Sequence, residues 1–202
     1  MAISSVCFSH DANLLATGSW DRMVVIYEVN PDVSYNNFGR QVLKLDAGFP
    51  VTSVKFNNDS RRLASASENK DVVLWDTDFD GTGVIKTERL SSKDENNTSK
   101  NSQNRTTNLG DRIGTYSSHA KSVTCICYSL DGTKLATVSE DHTAIIWNVD
   151  PSITNEESHL RKLILKDHHN GVTCVDFNID AKLMATGSHD HNIILYLEKQ
   201  EK

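Results

Sequence analysis

Short runs of apolar residues, many of them β-branched, recur along the chain and are separated by polar segments. Examples are Val24-Val25-Ile26-Tyr27, Val72-Val73-Leu74-Trp75 and Ile193-Ile194-Leu195-Tyr196. Runs of this kind, bounded by Asn, Asp, Gly and Ser, are typical of β-strands. No segment shows a persuasive period of 3.6 residues, which would indicate a helix. The pattern therefore predicts an all-β protein.

The same order of residues returns four times along the chain. In each copy an Asp or Asn lies six residues before an aromatic residue, and a Ser lies two residues before that Asp or Asn. The pairs are Asp21 with Tyr27, Asn69 with Trp75, Asp141 with Trp147 and Asp190 with Tyr196. Turn residues between the first two apolar runs of each copy predict antiparallel hairpins. Each repeat is therefore predicted to be a small antiparallel sheet of about four strands.

The repeats are predicted at residues 2–45, 46–90, 111–166 and 167–198 of one domain that covers residues 1–202. The stretch from Ser91 to Asn108 contains no hydrophobic residue. Such a segment cannot bury enough apolar surface to offset the entropy lost on ordering. Residues 91–110 are therefore predicted to be a disordered polar insertion.

These repeats resemble the WD-repeat β-propeller family, and the resemblance runs from Val6 to Tyr196 outside the polar insertion. Trp75-Asp76 is a literal WD dipeptide and Trp147-Asn148 is the nearest variant, whereas a tyrosine replaces the tryptophan in the outer two repeats. The resemblance implies a WD-repeat β-propeller fold, with four antiparallel blades of about four strands forming an open arc.

In that family a loop His, a strand Ser, a turn Asp and the Trp form a hydrogen-bonded set inside each blade. Carried onto this sequence, the set is complete in repeat three and has a tyrosine in repeat four, where His169 competes with His168 for the loop position. Repeat two departs from the pattern, with Ala47 and Asn69 in place of the His and the Asp, and is expected to be the least rigid blade. The implied structural residues are His119, Ser139, Asp141, Trp147, His168, Ser188, Asp190 and Tyr196, and in repeat one, which lacks the loop His, Ser19 and Asp21.

Family propellers usually close seven blades into a ring, whereas this sequence supplies four repeats. Three explanations compete. The chain is a fragment or short form of a longer propeller protein, which is the favoured explanation, or it completes a ring with another chain or by self-association, or it closes alone as a four-bladed ring. The mass in solution separates these alternatives.

The charge balance and the cysteines restrict the function. The 202 residues carry 21 Lys and Arg against 27 Asp and Glu, a net charge of −6. An acidic balance argues against nucleic-acid binding and against electrostatic attachment to a membrane. The N-terminus lacks the features of a secretory signal, and the four cysteines lie in apolar runs that suit buried thiols in a reducing compartment. We expect a cytoplasmic or nuclear protein with no bound zinc or other metal.

No catalytic motif is present, so we predict a protein without enzyme activity and without a cofactor. The resemblance implies that partners bind on the rim formed by the turns between second and third strands and by the loops entering each first strand. The candidate partner-binding residues are Trp20, Phe49, Glu68, Lys121, Glu140, His169 and His189. Packing on a neighbouring loop is the alternative for Trp20, and a core position is the alternative for Phe49.

The favoured function is a non-catalytic scaffold that presents loops to protein or peptide partners within a multiprotein complex. The alternative is the substrate-recruiting propeller of a ubiquitin ligase complex.

Overall fold

The computed structural model describes residues 1–29, 39–77, 109–149 and 162–197. Within these ranges the chain forms fifteen strands and no helix, so the all-β prediction is confirmed. The strands are β1 (Ile3–Phe8), β2 (Leu14–Ser19), β3 (Met23–Val29), β4 (Gly39–Asp46), β5 (Val51–Phe56), β6 (Arg62–Ser67), β7 (Asp71–Asp76), β8 (Arg112–Ser117), β9 (Val123–Tyr128), β10 (Lys134–Ser139), β11 (Ala144–Asn148), β12 (Lys162–Leu165), β13 (Val172–Phe177), β14 (Leu183–Ser188) and β15 (Ile193–Leu197).

The strands form four antiparallel sheets, which we call blades 1 to 4. Blade 1 contains β1–β4, blade 2 contains β5–β8, blade 3 contains β9–β12 and blade 4 contains β13–β15, each in chain order. The hairpin between the first two strands is closed in the same way in every blade. For example, Ser9 N–H donates to the Leu14 carbonyl at 2.9 Å and Ser129 N–H donates to the Lys134 carbonyl at 3.0 Å.

One strand, β8, belongs to a different sheet from the one that the predicted repeat bounds imply. Residues 112–117 were assigned by the repeat pattern to the third repeat, but β8 pairs with β7 and is the fourth strand of blade 2. The polar insertion separates β8 from β7 along the sequence, but hydrogen bonding, which defines the sheet, joins the two strands. The last strands of blades 1 and 3, β4 and β12, lie in the predicted first and third repeats.

The polar insertion therefore lies within blade 2, between its third and fourth strands. Its last two residues, predicted to be disordered, form a turn in which Gly110 N–H donates to the Asp76 carbonyl at 2.7 Å. Gly110 has a φ of +85°, and a Cβ at this position would come within 3.0 Å of the Leu45 side chain of blade 1. The remainder of the predicted insertion lies outside the described residues.

The hydrophobic core consists of three layers between neighbouring blades. Val24 and Ile26 of blade 1 pack against Val54 and Trp75 of blade 2, and all four are buried. Corresponding layers join blade 2 to blade 3 and blade 3 to blade 4. We call the first strand of each blade its inner strand. Each inner strand lies next to that of the following blade: β1 beside β5, β5 beside β9 and β9 beside β13.

Blades 1 and 4 each leave one apolar face uncovered, as the predicted open arc requires. Val6 and Phe8 of β1 are 62% and 58% exposed, and Ile193 and Leu195 of β15 are 78% and 68% exposed.

The prediction that the cysteines are buried is wrong for Cys174, which is exposed, whereas Cys7 and Cys127 are buried and Cys125 is half-buried. Cys174 is exposed because it lies in the last blade, on the side that no further sheet covers.

Candidate functional site

A chain of polar side chains crosses the interior of blade 3. His119 Nδ1 lies 3.1 Å from Asp141 Oδ2, and His119 Nε2 lies 2.7 Å from Thr137 Oγ1. The indole N–H of Trp147 donates to the same Thr137 hydroxyl oxygen at 3.0 Å. The fully buried hydroxyl of Thr137 is thus the hydrogen-bond partner of both the indole N–H and the imidazole Nε2.

The geometry of this chain of side chains is compatible with a neutral histidine that carries its proton on Nδ1. With the Nδ1 proton donated to the Asp141 carboxylate, Nε2 can accept the Thr137 hydroxyl proton, and the Thr137 oxygen can accept the indole proton. Every donor then has one acceptor when His119 is neutral. Each of the four side chains thus has a hydrogen-bond partner inside blade 3.

Asp141 accepts hydrogen bonds on both carboxylate oxygens. Ala120 N–H donates to Oδ2 at 2.7 Å, while the Thr143 hydroxyl and N–H donate to Oδ1 at 2.6 and 2.9 Å. Partial burial opposes ionisation of this carboxyl group. The hydrogen bonds from Thr143 and Ala120 and the proximity of His119 outweigh that effect and hold the pKa of Asp141 below its usual value of 3.8.

Blade 4 repeats the arrangement except at the aromatic residue. His168 Nδ1 lies 2.9 Å from Asp190 Oδ2, and His168 Nε2 lies 2.7 Å from Thr186 Oγ1. His168 is therefore the loop histidine, while His169 contributes its N–H to Asp190 and exposes its side chain. The Tyr196 hydroxyl is buried, and burial, with the charge of Asp167, raises its pKa to about 12.

The serines that the sequence placed in these sets bind elsewhere. Ser139 Oγ donates to the Lys121 carbonyl and accepts from Asp141 N–H, and Ser188 Oγ likewise contacts the Gly171 carbonyl and Asp190 N–H. They close the turn onto the loop, whereas Thr137 and Thr186, two residues earlier, join the histidine. A usable signal was present, because the residue four places before each turn Asp or Asn carries a hydroxyl: Thr17, Ser65, Thr137 and Thr186.

Blades 1 and 2 lack the histidine set, as the sequence indicated. In blade 1, Ser19 accepts from Asp21 N–H and donates to the Ala2 carbonyl at 3.1 Å, while Asp21 accepts from Met23 N–H. In blade 2 the Trp75 indole N–H donates to Ser65 Oγ at 2.8 Å. The Arg112 guanidinium lies 5.0 Å above the Trp75 ring and donates to the Asp46 carbonyl at 2.8 Å, so a cation occupies the region beside Ala47.

The seven candidate partner-binding residues all lie along one edge of the blades, which we call the loop edge. In each blade the N–H of the residue before the turn Asp or Asn donates to a carbonyl of the loop that enters the first strand. The four pairs are Trp20 to Ala2, Glu68 to Pro50, Glu140 to Ser122 and His189 to Gly171, at 2.9–3.2 Å. Turn and loop are thus held together, and the candidate side chains are exposed on the same edge.

Trp20 and Phe49 form the apolar part of the loop edge. Their side chains are 55% and 50% exposed, so neither is a core residue. They come from adjacent blades, and a hydrogen bond of 2.9 Å from Ala47 N–H to the Arg22 carbonyl joins the segments that carry them. Exposed aromatic side chains of this kind are frequent binding hot spots.

A further set of loop-edge residues was not among the seven candidate partner-binding residues. The residue directly after each turn Asp or Asn has positive φ and a basic or histidine side chain: Arg22, Lys70, His142 and His191, with φ of 68–79°. Next to His142 a cleft of about 350 Å³ is lined by Ile164, Lys166 and Thr143. Lys166 and His142 have no side-chain partner among the described residues, so they can contact an acidic or polar group of a bound peptide.

The structure holds no grouping that suggests a metal centre in the ranges it describes, since no three His, Cys, Asp or Glu side chains converge there. Nor does any helix in those ranges have the length and hydropathy to cross a membrane.

Comparison with protein families decides the classification. The family model for the WD domain, G-beta repeat, matches residues 1–28, 39–76, 110–148 and 160–196, which is more than half of the chain. The chain belongs to the WD40 family. Each WD40 match contains the first three strands of one blade, and the last three matches also contain the fourth strand of the preceding blade.

Curated relatives of this WD40 chain are considerably longer than the chain itself. Protein HIR1 of Cryptococcus neoformans is 32% identical over 171 residues, which is 81% of this chain and 17% of the relative. A chromatin assembly factor 1 protein of Gallus gallus is 27% identical over 73% of this chain and 25% of its own length. Probable cytosolic iron-sulfur protein assembly protein 1 of Kluyveromyces lactis is 26% identical over 71% of this chain and 37% of its own length. The WD40 chain thus spans well under two thirds of each relative.

Proposed function

We propose that this WD40 chain is a non-catalytic scaffold whose loop edge binds proteins or peptides within a multiprotein complex. The observation that carries the proposal is the collection of seven exposed candidate side chains on one edge, with Trp20 and Phe49 as apolar anchors. The blades hold this edge rigidly, because turn and loop are hydrogen-bonded in all four. A rigid edge loses little conformational entropy when a partner binds.

The chemistry of the edge suggests the kind of partner. One end is aromatic, at Trp20 and Phe49, and the other carries Lys121, His142, Lys166 and His169. A segment with an apolar anchor and acidic or polar residues fits both parts. The name of one relative refers to a chromatin assembly factor and that of another to cytosolic iron-sulfur protein assembly. These names support a role in assemblies and a nuclear or cytoplasmic location, whereas the ubiquitin ligase alternative gains no support from them.

Site-specific photo-crosslinking in cells tests the proposal. A benzophenone amino acid replaces Trp20 in one variant and Ile179 in a control variant. Ile179 is 82% exposed in the hairpin at the opposite edge of blade 4, so it offers equal access without the loop edge. We expect defined crosslinked proteins from position 20 that are absent from position 179 and that are lost when Phe49→Ala is added. Identical crosslinks from both positions would contradict the proposal, and ligase components among the position-20 products would revive the alternative.

A further inference from the structure

The cleft beside His142 lies at the loop edge of blade 3, between the loops that enter β9 and β13. Its volume is about 350 Å³, which is enough to admit side chains of a bound peptide. The loop before β9 contributes Ser118 and Ala120, the turn between β10 and β11 contributes residues 141–143, and the loop before β13 contributes Lys166. The cleft therefore opens on the same edge as the candidate partner-binding residues.

The floor of the cleft is apolar, which distinguishes blade 3 from the two blades before it. Ile145 of β11 is buried, and Ile164 of β12, which pairs with it in the sheet, is 39% exposed. By the same strand pairing, the position of Ile164 is held by Lys44 in blade 1 and by Thr115 in blade 2. Of the three fourth strands that the structure describes, only β12 presents an aliphatic side chain at this point.

Lys166 follows Ile164 by two residues and also departs from its counterparts. In blade 2 this position is Ser117, whose hydroxyl donates to the Asp71 carboxylate. In blade 1 it is Asp46, whose carboxylate accepts the N–H of Gly48 at 2.8 Å. Lys166 is exposed and has no side-chain partner among the described residues, so its ammonium group is available to a ligand.

The carboxylates nearest the cleft are already engaged elsewhere. The side chain of Asp141 is only 8% exposed, and its oxygens accept hydrogen bonds from donors within blade 3. Asp167 acts on Tyr196, whose pKa it helps to raise, so its carboxyl group lies towards blade 4. The free polar groups that line the cleft are therefore the Lys166 ammonium group and the His142 ring, and both can donate to an anion.

We propose that this cleft binds an acidic side chain of a partner protein together with an aliphatic side chain next to it. The carboxylate contacts Lys166 and His142, and the aliphatic group covers Ile164. A carboxylate matches this charge better than a phosphate does, because phosphate groups are typically held by arginines, and none of the described residues that line the cleft is an arginine. The inference rests on the proposed function and deepens it, since it assigns one part of the loop edge to one kind of partner segment.

Selection from a random peptide library against the intact chain tests the proposal. Peptides that also bind the Lys166→Glu variant are removed first, so that other surfaces of the chain do not contribute. We expect the remaining peptides to share an Asp or Glu next to a Leu, Ile or Val. Changing that acid to its amide should weaken binding about tenfold, because a hydrogen bond between charged groups is lost. If no peptides remain, or if they share no acidic residue, the proposal is overturned.

Matched variants locate the contact within the cleft, with fluorescence anisotropy of a selected peptide as the measurement. Lys70→Glu makes the same change of charge at an exposed turn of the loop edge in blade 2, and it should leave the affinity unchanged. Ile164→Thr, which places the blade 2 residue type in the floor, should weaken binding several-fold. A peptide whose acid is changed to Lys should bind Lys166→Glu more tightly than it binds the wild type. Equal losses in Lys70→Glu and Lys166→Glu would show that only the overall charge of the edge matters, and would overturn the site.

Phosphoserine in place of the acidic residue of a selected peptide separates the two kinds of anion. Much tighter binding of the phosphorylated peptide than of the carboxylate peptide would overturn the assignment to a carboxylate. The crosslinks from position 20 report on the proposed function separately, because Trp20 lies in blade 1 and outside the cleft. Failure of the peptide selection with those crosslinks retained would overturn only the inference about the cleft. Peptide binding at the cleft without those crosslinks would count against the wider proposal for the loop edge.

Discussion

Thr137 connects two groups in the interior of blade 3 that would otherwise be unpaired. Its oxygen lies 2.7 Å from His119 Nε2 and 3.0 Å from Trp147 Nε1. A buried donor or acceptor without a partner costs about 1–3 kcal/mol. The hydroxyl of one residue therefore determines whether both rings are satisfied.

Thr137→Val should lower the free energy of unfolding by about 2–3 kcal/mol, because it orphans the imidazole and the indole together while preserving shape. Thr137→Ser keeps the hydroxyl and loses one methyl group, so it should cost only about 1 kcal/mol. Urea unfolding followed by tryptophan fluorescence measures both variants. Equal losses in the two would show that packing, and not the hydroxyl, is what matters at this position.

The pH dependence of stability should report on Asp141. Its pKa is lowered in the folded chain from 3.8, so its contribution to stability is fully present above that value and is lost as the pH falls through the folded pKa. The difference in unfolding free energy between the wild type and Asp141→Asn should therefore be constant at neutral pH and shrink in acid. A difference that grew as the pH fell would contradict the assigned hydrogen bonds.

The sequence identified most of the polar set but misplaced one member. Asp141 and Trp147 recur at a fixed spacing in the repeats, and the resemblance to the WD-repeat family added His119. Ser139 and Thr137 are two residues apart on one strand, so both suit the same side of the sheet. Which hydroxyl reaches the histidine depends on strand pairing, and the register of β10 against β9 shifts between Val138 and Ser139.

At the scale of the single blade, blade 2 lacks the histidine and has an arginine against its tryptophan. Arg112 enters from the neighbouring strand β8, stacks on Trp75 and donates to the Asp46 carbonyl. The sequence predicted that blade 2 departs from the pattern, at Ala47 and Asn69. It could not predict the contact between Arg112 and Trp75, because Arg112 follows the polar insertion and only sheet pairing brings the two residues together.

Arg112→Ala should destabilise the chain by about 0.5–1 kcal/mol through loss of the contact with the Trp75 ring. Arg112→Lys keeps the charge but not the planar group that stacks and donates, so most of that loss should remain. Unfolding of the three proteins in urea gives the comparison. Full stability in the alanine variant would mean that the guanidinium contributes nothing to blade 2.

Across the whole molecule, stability depends on contacts between adjacent blades, since each blade is too small to bury both of its faces alone. Among the glycines of the described residues, Gly18 lies closest to a neighbouring blade: a Cβ at this position would be 2.5 Å from the Val51 side chain of blade 2. The sequence predicted four sheets and their order, but not this approach, because the distance between two blades depends on residues from both.

Gly18→Ala should push blade 1 away from blade 2 and lower the free energy of unfolding by about 1–3 kcal/mol. Gly39→Ala is the matched control, because a Cβ there meets only ordinary contacts at 3.8 Å. Hydrogen exchange should become faster in β1–β4 of the Gly18 variant and stay unchanged in blade 3. Uniform acceleration across all four blades would indicate that the blades unfold as one unit.

The turn at Gly110 has one more consequence for the molecule. Its hydrogen bond to the Asp76 carbonyl holds the end of β7 and the start of β8 close together, so the connection between these strands leaves and re-enters blade 2 at neighbouring points. The entropy of closing a loop between two fixed points grows slowly, by about 0.6 kcal/mol for each doubling of its length. Evolution and protein engineers alike can therefore lengthen, shorten or replace this connection, even with a foreign domain, at little expense to the blade from which it emerges.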